Sequence, residues 1–288
     1  MTRTGLDAAA HLAALRDRLS RESRLLVAFS GGVDSALVAV VAAEQLGASA
    51  VAVTAVSASL PAAERTAARR FARRHGLAHV EVCTDELDRP EYRANGGDRC
   101  FHCKSALLDA LAPLAAQSGA AIALGTNLDD LGDHRPGQRA AAARGAVAPL
   151  VDAGLGKEAV RAVSGLLGLA TTDKPAAACL SSRVAYGDPV TPEVLGRIER
   201  AEAALHALGF PVCRVRAHAG GTVARLELPP GELARAHGLA ARINAEVRAA
   251  GFEFCAVDLQ GFRSGRMNVL LGIPAPGIPA PGGPVAAS

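Results

Sequence analysis

The sequence predicts an α/β protein with a parallel-sheet domain at residues 1–175 and a smaller α+β domain at residues 176–272. Short aliphatic segments alternate with helical segments in the first half, which is typical of a parallel sheet covered by helices on both faces. Near Lys174 the pattern changes, and two strand-like segments then flank a Gly-Gly turn. Residues 273–288 are mainly Pro, Gly and Ala, so we expect a disordered tail there.

Hydrophobic periodicity locates the elements of the first domain. In the first helix Leu12, Leu15 and Leu19 recur at helical spacing, with charged residues between them. Gly47 is a C-cap signal for the second helix, and Pro61 begins the third. The predicted elements are, in order, a helix at 7–20, a strand at 24–29, a helix at 36–46, a strand at 49–55, a helix at 61–75, a strand at 78–83, a helix at 103–117 and a strand at 120–125.

The second domain is predicted to begin with a helix at 191–208, which Thr191 and Pro192 open. Two strands at 211–217 and 222–228 then alternate around Gly220 and Gly221. A helix at 232–250 and a strand at 253–257 follow, with 266–271 as a possible partner strand. This order predicts a small α+β unit.

Composition and charge limit the function classes. The 288-residue chain is 50% apolar and carries a formal net charge of +3, which argues against a nucleic-acid partner because duplex binding needs clustered Lys and Arg. No apolar run is long enough to span a bilayer, and the charged N-terminus does not resemble a signal peptide. We therefore expect a cytoplasmic protein without a membrane partner, whose six cysteines are not paired in structural disulfides.

The strongest functional signal is a Gly-rich loop between the first strand and the second helix. It consists of Ser30, Gly31, Gly32, Val33, Asp34 and Ser35. Backbone N–H groups at the positive end of a helix bind phosphate, and glycines let the backbone approach closely. The loop lacks the Lys of a Walker A motif and resembles the pyrophosphate loop of the PP-loop (adenine nucleotide alpha hydrolase-like) ATP pyrophosphatases. The alternative interpretation is an ordinary Gly turn between a strand and a helix.

Two further segments fit an ATP site at the carboxyl edge of the sheet. Thr54 ends the second strand, and Gly125 and Thr126 end the fourth. Asp129 and Asp130 follow, and paired carboxylates beside a triphosphate are natural Mg²⁺ ligands. Capping of a helix is the alternative role for these two carboxylates.

Three of the six cysteines are candidates for metal binding or catalysis. Cys100 and Cys103 form a CxxC pair in a polar loop that opens a helix, and Cys179 lies in a loop-like segment. Such a pair can hold zinc, an iron–sulfur cluster or a redox disulfide, or it can have no role. The other three are predicted to be buried and inert, because Cys83 and Cys255 lie in apolar strand-like runs and Cys213 is beside Val212.

Four motifs occur in one order: the loop at 30–35, DRCFHCK at 98–104, NLDDLGDHRPG at 127–137 and KPAAACLSSR at 174–183. Together they resemble the LarE family of ATP-dependent sulfur transferases, which act on pyridinium-3,5-biscarboxylic acid mononucleotide. The resemblance covers nearly all of residues 10–272. It implies that ATP, with Mg²⁺, adenylates a substrate carboxylate, that Asp34 and Ser35 take part, and that an enzyme-held sulfur attacks the adenylate. The product becomes a nickel-pincer cofactor of lactate racemase and related enzymes.

The resemblance leaves two sulfur sources open. Some family members sacrifice the sulfur of the cysteine that corresponds to Cys179. Others carry the extra pair and use a three-Cys [4Fe–4S] cluster, and the presence of Cys100 and Cys103 favours this version. The family resemblance also implies a homo-oligomer, such as a hexamer.

The second domain offers a grip for the substrate phosphate. Arg214 and Arg216 lie two residues apart on a predicted strand, so both side chains are on one face, and Arg183 could join them. A solvated strand face is the alternative interpretation. The resemblance also places Glu202 and Asp258 near the substrate.

Two alternative functions remain at this stage. A tRNA thiolase or another PP-loop amidotransferase keeps the chemistry and changes the substrate, but no added RNA-binding region or glutaminase domain is evident. A metal-stabilised nucleotide-binding regulator without catalysis is the second alternative, and it would bind ATP without releasing pyrophosphate.

Overall fold

The computed structural model describes residues 3–131, 136–175, 178–263 and Met267. These form two compact units, one within Met1–Arg89 and Asp98–Ala178 and the other within Pro90–Gly97 and Cys179–Ser288. The domain boundary after residue 175 stays a prediction, and the sequence did not indicate that Pro90–Gly97 groups with the second unit. The tail at 273–288 lies outside the described residues.

Helices and strands alternate along the first unit as far as residue 123, as predicted, and four helices follow within the described ranges. The helices of the described residues are α1 (Arg3–Ser20), α2 (Val33–Leu46), α3 (Ala62–Arg74), α4 (Pro90–Arg93), α5 (Arg99–Ser118), α6 (Leu128–Leu131), α7 (Pro136–Ala143), α8 (Pro149–Asp152), α9 (Lys157–Leu166), α10 (Pro192–Ala207), α11 (Leu233–Gly238) and α12 (Ala240–Ala249). The strands are β1 (Leu25–Ala28), β2 (Ala50–Val56), β3 (Ala78–Cys83), β4 (Ala121–Ala123), β5 (Arg214–His218), β6 (Val223–Glu227) and β7 (Phe254–Val257).

The first unit is built on a parallel sheet with the strand order β3-β2-β1-β4. Strand β1 pairs with β2 from Leu25↔Ala50 onward and with β4 from Leu25↔Ala121 onward. Parallel strands end at the same edge, so the residues that follow β1, β2 and β4 are brought together. The predicted α/β class with a parallel sheet is confirmed.

Helices cover both faces of this sheet, because its central strands are apolar on both sides. On one face α1, α2, α3 and α9 contribute to a core that includes Leu15, Leu19 and Phe71. On the other face Leu111 of α5 packs with Leu26 and Val53. Helix α2 is therefore rigidly held, which fixes the position of the loop at its N-terminus.

The second unit contains a mixed sheet with the order β5-β6-β7, in which β5 and β6 are antiparallel and β6 and β7 are parallel. Helix α10 packs against β5 and α12. The predicted helix at 232–250 divides at Leu239, directly after Gly238, a residue that destabilises helix interiors. The predicted partner strand at 266–271 lies outside the described residues, apart from Met267. The smaller α+β domain is thus confirmed as a class.

None of the helices in the described ranges is both long and apolar enough to cross a bilayer.

Candidate active site

The Gly-rich loop joins the end of β1 to the first turn of α2. The Ser30 and Ser35 hydroxyl oxygens lie 3.1 Å apart, and the Ser30 N–H donates to Ser35 Oγ at 3.2 Å. Gly31 has a φ of +72°, and a Cβ there would lie 3.2 Å from Ala68 Cβ on α3. Conformation and space therefore both favour glycine. The loop is packed against α3, and the positive end of the α2 dipole begins beside it.

A cleft of about 290 Å³ opens at the carboxyl ends of β1, β2 and β4. It lies within the first unit and is close to the lower end of the roughly 300–1,000 Å³ of small-molecule sites. Most of the predicted ATP-binding residues line it, namely Ser30, Gly32, Asp34, Ser35, Thr54, Gly125 and Thr126. The structure thus brings together residues that are up to 96 positions apart, from Ser30 to Thr126.

Three predicted ATP-binding residues do not line this cleft. Gly31 faces α3, as described above, and Val33 packs against the core. Asp129 accepts a hydrogen bond from the Lys157 backbone N–H at 2.5 Å and so caps the N-terminus of α9. Capping is therefore the role that the structure supports for Asp129, and its assignment to the nucleotide site stays a prediction.

Asp130 is the carboxylate of this pair that lines the cleft. It is buried, and its backbone and side chain exchange hydrogen bonds with Asn127 at 3.2 and 3.3 Å. Asn127 in turn donates from Nδ2 to Asp34 Oδ1 at 2.9 Å. Asn127 therefore contacts both carboxylates of the cleft, Asp34 through its side-chain amide and Asp130 through its backbone N–H.

Gly125 allows a close approach between the β4 end and the loop. A Cβ on this residue would lie 2.8 Å from the Ser35 backbone N, a distance that real Cβ atoms do not reach. Lys104 of α5 also lines the cleft and was not assigned to the nucleotide site from the sequence. The sequence around Lys104 did not predict this role, because Lys104 and the Gly-rich loop are far apart in sequence and come together only in the folded chain.

Thr54 connects the cleft to the edge strand β3. Its hydroxyl donates to the Phe29 carbonyl at 2.8 Å, so Oγ1 is left to accept from His79 Nε2 at 2.9 Å. Burial lowers the pKa of His79, and the ring is neutral at pH 7 with its proton on Nε2. Thr54 therefore fixes the end of β1, where the loop begins.

Lys174 holds the Gly-rich loop on the side that faces α3. Its Nζ donates to the Gly31 carbonyl at 2.9 Å and to Glu64 Oε2 of α3 at 2.6 Å. In a trans peptide the C=O and the next N–H point in opposite directions. Holding the Gly31 carbonyl on the α3 side therefore directs the Gly32 N–H away from it, and Gly32 lines the cleft.

Cys100 and Cys103 lie inside the first turn of α5, not in a loop, so this part of the sequence prediction was wrong. The helix begins at Arg99, four residues earlier than predicted. At i and i+3 the two thiols share one face of the helix. Cys100 is exposed and Cys103 is partly exposed.

The remaining cysteines differ in environment. None of the six, all of which are in the described ranges, forms a disulfide. Burial raises the pKa of Cys213 to about 12, so this thiol is inert as predicted, and burial also raises the pKa of the half-buried Cys255. The prediction for Cys83 was wrong, because β3 is an edge strand and leaves it exposed.

Cys179 precedes one turn of 3₁₀ helix, Leu180–Arg183, in the second unit. Arg183 is buried and pairs with Glu202, with Nε 3.1 Å from Oε1. Arg216 is also buried and donates to Glu227 Oε2 from Nη2 at 2.7 Å. Neither is on a solvated strand face, and neither presents an unpaired guanidinium to a phosphate.

Arg214 differs from these two arginines. It is half-buried, lies 5.2 Å above the Phe262 ring and donates to the Cys213 carbonyl at 2.7 Å. Among the described residues it forms no ion pair, whereas Arg225, which lies opposite Arg216 on β6, contacts Glu227 and Asp258. Burial, and then the nearby Arg183 cation, lower the pKa of Arg214. A surplus positive charge therefore remains at this position.

In the part of the chain that the structure describes, no three or more His, Cys, Asp or Glu side chains are grouped so as to hold a metal ion.

Comparison with known proteins identifies relatives over nearly the whole chain. A family model described as asparagine synthase matches residues 10–92, which contain the loop. The pyridinium-3,5-bisthiocarboxylic acid mononucleotide synthase of Lactiplantibacillus plantarum is 37% identical over 259 residues, or 89% of this chain and 92% of that protein.

Two uncharacterized proteins are also similar. One from Synechocystis sp. is 44% identical over 260 residues, which covers 89% of this chain and 96% of the relative. One from Methanocaldococcus jannaschii is 23% identical over 245 residues, which covers 85% and 92%.

Proposed function

Because the chain belongs to the LarE family of ATP-dependent PP-loop sulfur transferases, we propose that it acts on pyridinium-3,5-biscarboxylic acid mononucleotide. The two carboxylates become thiocarboxylates, the product named for the L. plantarum relative. This bis-thiocarboxylate is a precursor of the nickel-pincer nucleotide cofactor. The observation that carries the proposal is the cleft in which the loop, Asp34 and Asp130 converge.

In the proposed first step a substrate carboxylate oxygen attacks the α-phosphorus of ATP, and pyrophosphate leaves. The loop N–H groups and the Ser30 and Ser35 hydroxyls bind the leaving phosphates. Asp34 and Asp130 offer the oxygen ligands that Mg²⁺ prefers, and bound Mg²⁺ neutralises phosphate charge. A sulfur nucleophile then attacks the acyl adenylate carbon, and AMP leaves.

The test measures pyrophosphate release from ATP with and without the mononucleotide, together with thiocarboxylate formation. Release that depends on the mononucleotide and on Mg²⁺ is the expected result. ATP binding without release would favour a non-catalytic regulator, and release stimulated by tRNA would favour a tRNA thiolase.

The substrate phosphate is proposed to bind at Arg214, with Arg183 and Arg216 nearby on the same sheet and turn. The surplus charge of Arg214 supports this choice, because an anion there relieves the repulsion between guanidinium groups. Arg183 and Arg216 already have carboxylate partners and contribute less charge.

We propose that Cys100, Cys103 and Cys179 hold a [4Fe–4S] cluster. The i, i+3 spacing on α5 fits two ligands of one cluster. When bound, such a cluster has one iron without a protein ligand and can carry sulfide. The alternative is that Cys179 gives up its own sulfur.

Anaerobically prepared protein is expected to contain about four irons and matching acid-labile sulfide per chain. Cys100→Ala should lose most of this iron, while Cys83→Ala, an exposed cysteine on β3, should keep it. Equal iron in both variants would exclude Cys100 as a ligand. If no sample contained iron, the cluster would be excluded. The remaining roles would be sulfur donation by Cys179 itself and a zinc half-site at Cys100 and Cys103.

Lys174→Met is expected to weaken ATP binding by about 10-fold, because a charge-assisted bond to the Gly31 carbonyl is lost. The measurement is the ATP concentration dependence of pyrophosphate release. Arg73→Met, which removes an exposed cation from α3, is the control and should change it little. An unchanged ATP dependence for Lys174→Met would show that the loop does not need this anchor.

The partners proposed for this chain are the small nucleotide substrate and further copies of itself, up to a hexamer. The cytoplasmic location stays a prediction from the sequence.

A further inference from the structure

The carbonyl of Cys179 is the convergence point of several donors. Ser182 donates to it from its backbone N at 3.1 Å and from Oγ at 2.7 Å, and Arg183 donates from Nη1 at 2.9 Å. A carbonyl oxygen has two lone pairs, so three donors use its capacity fully. The orientation of the peptide that follows Cys179 is therefore fixed.

Arg183 is itself held on the opposite side. Its Nε and Nη2 donate to the two Glu202 oxygens at 3.1 and 3.3 Å. Glu202 lies on α10, and its Oε1 also accepts from the Val215 N–H of β5 at 3.1 Å. Arg183 and Glu202 are only 4% and 8% exposed. One buried guanidinium thus links α10 and β5 to the Cys179 turn.

Two further contacts hold the same turn. Arg216 donates from Nη1 to the Ser182 carbonyl at 3.0 Å, and its other nitrogens bond to Glu227. The Tyr92 hydroxyl is 2.6 Å from Ser181 Oγ. Contacts from α4, β5 and α10 therefore hold Ser181, Ser182 and Arg183, respectively.

We infer that Arg183 and Glu202 form a positioning pair that sets the Cys179 turn for sulfur transfer, and that Arg183 is not a ligand of the substrate phosphate. The inference rests on the proposed function, in which Cys179 supplies or binds the sulfur. All three Arg183 nitrogens are already engaged within the unit. Arg214, which lacks an ion pair in the described ranges, is left as the phosphate ligand.

The first test compares Arg183→Lys with Arg214→Lys. A lysine keeps the charge but lacks the planar fork with which Nε, Nη1 and Nη2 of Arg183 reach both Glu202 oxygens and the Cys179 carbonyl. Arg183→Lys should lower kcat for sulfur transfer by about 10- to 100-fold, because the attacking sulfur is misplaced. Its KM for the mononucleotide should be unchanged, whereas Arg214→Lys should raise KM. A KM increase for Arg183→Lys like that of Arg214→Lys would overturn the inference, and so would an unchanged kcat.

The second test does not depend on activity. Glu202→Gln removes the charge that holds Arg183 but keeps the side-chain size. In cluster-free protein, both Glu202→Gln and Arg183→Lys should change the iodoacetamide alkylation rate of Cys179 several-fold relative to Cys83, as resolved by peptide mass spectrometry. Unchanged rates in both variants would overturn the positioning role. Failure of the proposed function would instead appear as wild-type protein that makes no thiocarboxylate.

Discussion

Cys179→Ala is expected to abolish sulfur transfer while leaving ATP-dependent pyrophosphate release close to the wild-type rate. The cleft proposed for ATP is lined by residues of the first unit, and Cys179 belongs to the second. Both sulfur sources require this cysteine, as donor in one case and as cluster ligand in the other. The adenylate would therefore form in the variant and then hydrolyse without gaining sulfur.

The measurement is thiocarboxylate formation and pyrophosphate release in the same reaction, with Cys213→Ala as the matched control. Cys213 is buried in the same unit, and its thiol is inert because burial raises its pKa to about 12. Removing one buried sulfur there should cost stability but not activity. Undiminished sulfur transfer by Cys179→Ala would rule out both roles of Cys179.

The wild-type reaction also distinguishes the two sulfur sources. A sacrificial Cys179 would limit turnover to the sulfur in the chain and leave dehydroalanine at that position. A cluster carrier would give repeated turnovers with added sulfide and an unchanged Cys179. Mass spectrometry of the Cys179 peptide after reaction separates these outcomes.

The sequence predicted the sheet and the loop because both depend on local patterns. Short aliphatic runs such as Leu25–Ala28 are buried on both faces, and a Gly-rich turn at the end of such a strand has few other uses. Helix ends were less certain, since α5 begins at Arg99 without a side-chain cap. This error placed Cys100 and Cys103 in a loop.

Ion pairs between residues far apart in the sequence could not be predicted from local sequence patterns. Arg183 and Arg216 were predicted to bind phosphate, but Glu202 and Glu227 neutralise them through the fold. No local spacing indicates which arginine keeps a surplus charge, because the partners lie on other elements. Likewise, the sequence could not show which of Asp129 and Asp130 faces the cleft. This depends on the position of α9, whose N-terminus Asp129 caps.

Asp34→Ala is expected to reduce the rate of pyrophosphate release by about 100-fold or more. Removing one preorganised group that stabilises charge in an active site typically has an effect of this size. Asp34 lies in the first turn of α2 and lines the cleft, where a carboxylate beside phosphates is tolerated only with a cation between them. Asp34→Asn should be nearly as inactive, because it keeps the side-chain size but loses the charge that is proposed to bind Mg²⁺.

Stability separates this effect from a folding defect. An acidic side chain in the first turn of a helix contributes about 0.3–1 kcal/mol, so both variants should unfold within about 1 kcal/mol of the wild type. Glu44→Gln is the control: it removes an exposed carboxylate from the same helix, one that pairs with Arg16, and should leave release unchanged. If Asp34→Asn released pyrophosphate at the wild-type rate and with the same Mg²⁺ dependence, Asp34 would not bind the metal. Its bond to Asn127 would then be its only supported role.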